Sequence, residues 1–113
     1  IGKGEMLIAG DEVAILTIGS IGEQIKKIID QFPKGKVAHF NMRFVKPLDE
    51  KLLYDIFTDF NKILTIEEGA LHGGFGSAVL EFCNTKEFKD KSISRLGLPD
   101  KFIEHGSVQQ LFE

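Results

Sequence analysis

The stretch from Ile63 to Ser77, ILTIEEGALHGGFGS, restricts the fold more tightly than any other part of the chain. Ile63, Leu64 and Ile66 form a short strand-forming run, with Thr65 tolerated among them. Glu67 and Glu68 arrive together where that strand would emerge at the carboxyl edge of an open sheet. Gly69, Gly73, Gly74 and Gly76 follow, and Phe75, Ala78, Val79 and Phe82 then recur at helical spacing. Strand, acidic pair, glycine-rich turn and helix make a βα unit, and α/β proteins bind ligands beyond the carboxyl ends of such strands. The unit is therefore either a site or a tight corner.

The rest of the chain repeats the same alternation. Gly2, Lys3 and Gly4 read as a lead-in, Met6 to Ile8 as a short strand, and Gly10-Asp11-Glu12 as a turn reversing into the next strand. Val13 to Ile18 is nearly all apolar, which fits a central strand buried on both faces. Ser20 and Glu23 form a capping box for a helix from Ile21 to Phe32. Its apolar stripe is Ile21, Ile25, Ile28, Ile29 and Phe32, and Pro33 and Gly35 end it. Val37 to Phe40 is the next strand. Pro47 introduces a helix near Asp49 with Leu52, Leu53, Ile56, Phe57 and Phe60 on its apolar face, and Asp49 and Glu50 suit its positive end. Ile63 to Glu67 is a strand, and a third helix runs to about Asn84. Thr85 to Lys91 is a charged connection and Ile93 to Leu96 a last strand. Gly97, Pro99 and Asp100 make an irregular exit, and Ser107 caps a closing helix. Strands alternating with helices of roughly 10–14 residues imply right-handed βαβ units. The expected fold is a three-layer α/β/α sandwich, with a mostly parallel five-stranded sheet and the first strand antiparallel at an edge.

Size and composition set the outer bounds. The 113 residues suffice for a single domain, residues 1–113, with 42% hydrophobic content and ten Phe to build a core. Lys and Arg number 14 against 17 Asp and Glu, a net charge of −3 without a basic run, which argues against nucleic-acid and anionic-membrane partners. Cys83 is the only cysteine, so no intrachain disulfide or cysteine-based zinc set can form. A reducing, cytoplasmic setting is the expectation. Its place on the third helix's apolar stripe suits a small buried hydrophobe. No apolar run approaches the roughly 20 residues of a membrane span. Ile1 stands in place of an initiator Met, which points to a piece of something longer.

Several residues invite chemistry and each has a plainer alternative. Glu67 and Glu68 can share an ion or act as acid and base only if the strand has already ended, because adjacent strand residues face opposite ways. Otherwise one accepts hydrogen bonds from a loop or helix N-terminus, and the other meets solvent or a partner chain. Gly73-Gly74-Phe75-Gly76-Ser77 opens a helix whose free N–H groups can hold a phosphate. It matches neither a dinucleotide fingerprint, since Val79 stands at the third glycine position, nor a P-loop, since no Lys follows. A tight turn or a close approach to another subunit is the alternative. His39 lies within a strand, as a core residue. His72 beside the glycines and His105 before Gly106 and Ser107 can titrate near neutrality, but no Ser–His–Asp arrangement supports either as a base. Arg43 follows a strand end and can pair with Glu67 or Glu68, as a binding group or as a tie between loops.

Taken together, three blocks resemble the 1-deoxy-D-xylulose-5-phosphate synthases, which are transketolase-like enzymes. They are Met42-Arg43-Phe44-Val45-Lys46-Pro47-Leu48-Asp49; Thr65-Ile66-Glu67-Glu68 with Gly73 to Ser77; and Gly97-Leu98-Pro99-Asp100 with Phe102-Ile103 and His105-Gly106. Ile1-Gly2-Lys3-Gly4 fits that family's entry into its last domain. The resemblance covers essentially the whole chain. It implies a full enzyme that uses thiamin diphosphate and Mg2+ to condense pyruvate with glyceraldehyde 3-phosphate. Carbon dioxide is lost, and the product feeds isoprenoid, thiamin and pyridoxal synthesis. The family's GDG…NN cofactor motif, its cofactor-activating Glu and its substrate-phosphate Arg belong to its first two domains and match nothing here. The resemblance thus implies a last domain with no catalytic, cofactor or metal residues of its own, supporting a homodimer and packing on the N-terminal and middle domains. Asn41 replaces a common Asp, and His72 a common Met or Gln. The alternative is a free-standing module that binds an anion or a partner protein at a corner of Arg43, Glu67, Glu68, His72, Gly73, Gly74, Gly76 and Ser77.

Overall fold

A computed structural model describes residues 3–18, 22–42, 48–68 and 74–98. Along the chain it has β1 (Glu5–Ile8), β2 (Gly10–Ile18), α1 (Gly22–Ile29), β3 (Gly35–Asn41), α2 (Glu50–Asp59), β4 (Lys62–Glu68), α3 (Gly74–Thr85) and β5 (Ser92–Leu98). The strands form one sheet in the order β1-β3-β2-β4-β5. β2 to β5 are parallel, and β1 is the antiparallel edge.

Strand alternation divides the core in two. Ala14, Leu16, Ala38, Phe40 and Ile63 face α2 and α3, where Leu53, Ile56, Phe57, Phe75, Val79 and Phe82 pack on them. Val13, Ile15, Val37, Leu64 and Ile66 face Ile25, Ile28 and Ile29 of α1. The two-faced apolar run of β2 is thus buried on both sides, and the three-layer expectation holds. The many phenylalanines close the α2–α3 side. Phe57 stacks against Phe82 at 6.1 Å and Phe88 at 5.3 Å, and Tyr54 meets Phe88 edge-on at 5.3 Å. Cys83 is buried in the same cluster, with its Sγ 3.9 Å from the Phe88 carbonyl.

Four expectations need correction. Gly10-Asp11-Glu12 is not a turn but the start of β2, and β1 lies beyond β3 rather than reversing onto β2. Only Ala9 separates the two strands, and the chain passes from one side of β3 to the other. Gly10 presses so closely on the Val37–Ala38 peptide that a Cβ would sit 2.4 Å from the Val37 carbonyl carbon. Such a crossing needs glycine, which is why a turn-forming residue appears inside a strand. The first helix ends at Ile29 rather than Phe32. Its exit tightens through Gln31 N–H to Ile28 O and Phe32 N–H to Ile29 O, since Pro33 disfavours helical backbone in the residue before it. β5 runs through Gly97, which is strand rather than exit, with Gly97 paired to Glu67. β4 also reaches one residue further than expected, to Glu68. Ser20, Ile21, Pro47, Pro99, Asp100 and the Ser107-capped helix lie outside the described residues.

Candidate functional site

The residues singled out in the sequence converge on the carboxyl edge of the sheet, where β4 hands over to α3. Ile63, Thr65 and Glu67 alternate onto the α2–α3 face, so the register that buries Ile63 also aims Glu67 at the first turn of α3. Glu67 Oε2 accepts from the Gly76 N–H at 3.1 Å, and Oε1 accepts a longer bond of 3.4 Å from the Phe75 N–H. The helix carries no acidic side chain in its own first turn, so the neighbouring strand supplies the cap. An anion approaching this end of α3 would meet a carboxylate already holding two of its amides. β4 continues through Glu68, which pairs with Leu98, so the acidic pair does not lie beyond the strand end as a shared ion requires.

The two described glycines of the corner have different reasons to be there. Gly76 is buried, and a Cβ on it would fall 2.5 Å from Arg95 Cδ and 3.3 Å from Thr65 Oγ1. Its close approach is to a side chain of its own sheet. Around Gly74 no atom of the described residues lies within 4 Å of a Cβ, so their packing does not require glycine there. Arg95 comes to the corner from β5, opposite Thr65 in the β4–β5 register, and its Nη1 donates to Ser77 Oγ at 3.0 Å. Sequence reading missed Arg95, because only the pairing of β4 with β5 brings it there. Arg43, His72, Gly73 and His105 lie outside the described residues.

His39 sits elsewhere, on the α1 face, fully buried. Its Nε2 shares a hydrogen bond with Thr17 Oγ1 at 2.9 Å, while Nδ1 has no partner among the described residues. Protonation would place a charge and an extra N–H where nothing accepts it. Burial, with the positive charge of Lys26, lowers its pKa from 6.5 to about 4. The neutral ring is a core residue, as its strand position indicated. Burial likewise pushes the Cys83 thiol up, outweighing nearby Lys91. Among the described residues no three His, Cys, Asp or Glu side chains converge as a metal set. No described helix is long and apolar enough to cross a membrane.

Thiamin diphosphate with a divalent ion needs a carboxylate cluster and free donors for its phosphates. At the described start of α3 the Phe75 and Gly76 amides are already taken by Glu67, and no three-residue metal set occurs among the described residues.

The fold and this corner define an α/β domain with a self-capped carboxyl edge. The chain belongs to the transketolase C-terminal domain family, whose model, described as "Transketolase, C-terminal domain", matches residues 2–113. It is 46% identical over 115 residues to a 1-deoxy-D-xylulose-5-phosphate synthase of Parabacteroides distasonis, covering 100% of this chain and 18% of that protein. With the synthase of Cytophaga hutchinsonii the identity is 49% over 113 residues, covering 98% and 18%. A solved structure titled "Split gene transketolase, inactive beta4 tetramer" superposes with a TM-score of 0.75 at 26% identity. That match covers 98% of this chain and 36% of the other. The chain thus spans under a fifth of the length of these synthases.

Proposed function

We propose that this chain is the C-terminal domain of a 1-deoxy-D-xylulose-5-phosphate synthase. In that setting it serves domain packing and homodimer formation in a cytoplasmic enzyme. Pyruvate and glyceraldehyde 3-phosphate are condensed by thiamin diphosphate and Mg2+ held on the preceding domains. The observation that carries the reading is the high identity, running end to end, with synthases of two genera. The corner supports the passive role, since its Glu67, Ser77 and Arg95 groups are spent on each other and on backbone. The alternative of an anion-binding module is weakened by the same bonds.

Calorimetry tests the assignment of roles. The 113-residue chain titrated with thiamin diphosphate and Mg2+ gives no binding heat and turns over no pyruvate. Saturable coenzyme binding by this chain alone would overturn it. In the same reading, the frame upstream of Ile1 encodes a GDG-bearing domain; its absence would sink the family assignment of the activity.

A further inference from the structure

A groove of about 520 Å³ runs between β1 and α2, lined by none of the residues of the Glu67 corner. Met6, Phe40, Leu52, Ile56 and Phe60 give it an apolar lining. Met6 is 58% exposed, the most open large hydrophobic side chain among the described residues. The polar lining is of one sign: Asp11, Asp55 and Asp59, with no Lys or Arg. None of these three carboxylates has a hydrogen-bond or ion-pair partner among the described residues.

The acidic side chains are badly placed for the helix that carries two of them. Asp55 and Asp59 are one turn apart, a like-charge spacing that weakens a helix. Asp59 is the last residue of α2, at the negative end of its dipole, and the last turn holds no basic residue. Lys51, one turn before Asp55, puts an opposite charge at helical spacing from that residue, but Asp59 has none in its turn, so local stability does not account for Asp59. Complementarity does: an apolar slot edged by unpaired carboxylates matches a bulky apolar side chain flanked by Lys or Arg. Charges at the edge select the partner and its register, while the buried anchor supplies affinity.

We infer that this groove is where the domain docks onto the rest of its own longer polypeptide, through an apolar anchor carried on a basic segment. The inference rests on the proposed function, because the chain spans only 18% of the synthases it resembles and the remainder must pack somewhere.

Carboxylate labelling with a carbodiimide and an amine, read by mass spectrometry, tests it. The peptide holding Asp55 and Asp59 labels several-fold more slowly in the longer polypeptide than in the 113-residue chain. Equal rates overturn the inference even if the longer polypeptide turns over pyruvate. Protection that already grows with concentration in the short chain also overturns it, since a second copy then fills the groove. Asp59→Lys supplies the second readout. In the short chain it removes a repulsion, creates an Asp55–Lys pair in the favourable order and complements the dipole, so Tm rises. In the longer polypeptide the same change opposes the basic segment, and Tm falls, less so at high salt. A rise in both overturns the inference. Protected carboxylates in a longer polypeptide with no synthase activity would uphold the docking surface and defeat the functional reading, so the two fail separately.

Discussion

Glu67 shows how one side chain decides what a corner can do. Its carboxylate caps a helix with no acidic residue in its own first turn, and so occupies the Phe75 and Gly76 amides that a phosphate there would use. Glu67→Ala is expected to cost about 1–2 kcal/mol in urea unfolding, the usual range for a lost cap. Gly76→Ala drives a methyl into Arg95 and breaks its bond to Ser77, and adding Arg95→Ala recovers most of the loss. Strict additivity in that double-mutant cycle would contradict the contact. His39 sets a pH dependence of definite sign. Its folded pKa of about 4 lies below the ordinary 6.5, so between those values the unfolded chain takes up a proton that the folded chain refuses. Stability from this group is complete above pH 6.5 and declines as pH falls towards 4, by on the order of 2–3 kcal/mol. The double variant His39→Leu/Thr17→Val should lose less stability than the parent over that window; identical slopes would contradict the assignment. His39 was legible as core because it lies in an apolar strand. The missing Nδ1 partner was not, since that depends on α1 and Thr17 closing around the ring.

At the scale of elements, Asp49 ties two ends together. Its Oδ1 accepts from Leu52 N–H at 3.1 Å as the α2 cap, and Oδ2 accepts from Gly4 N–H at 2.8 Å, anchoring the approach to β1. Asp49→Ala should therefore destabilise by about 1–2 kcal/mol and also raise amide exchange in β1, whereas Asp49→Asn keeps much of the cap. Exchange unchanged at Glu5–Ile8 would show that the Gly4 bond carries no weight. Helices and central strands were readable because burial imposes their periods directly. The β1 path was not: antiparallel edge placement follows from a short strand, but its neighbour depends on the long-range crossing at Gly10. Gly10 looked like turn chemistry, because a glycine required by close approach and one required by a turn have the same signature in sequence. Gly97 misled for a related reason, since an edge strand tolerates a glycine that local propensity reads as an end.

For the whole molecule, the parallel sheet flanked by α1 on one face and α2 and α3 on the other makes a domain with its own two-sided core. The fold class followed from alternation alone. The role did not, because composition and spacing cannot distinguish a corner that binds from one that braces; the bracing role proposed above leans on the resemblance and on the Glu67 bonds. The same limit hid the acidic groove, whose residues come from β1, β2, β3, α2 and its C-cap Phe60 and meet only in three dimensions. The most direct measurement is the rate of 1-deoxyxylulose 5-phosphate formation from pyruvate and glyceraldehyde 3-phosphate. It is made on the polypeptide encoded by the whole reading frame that contains these 113 residues, with thiamin diphosphate and Mg2+ present. Sustained, coenzyme-dependent product formation is the expected result; a folded polypeptide that forms none would contradict it.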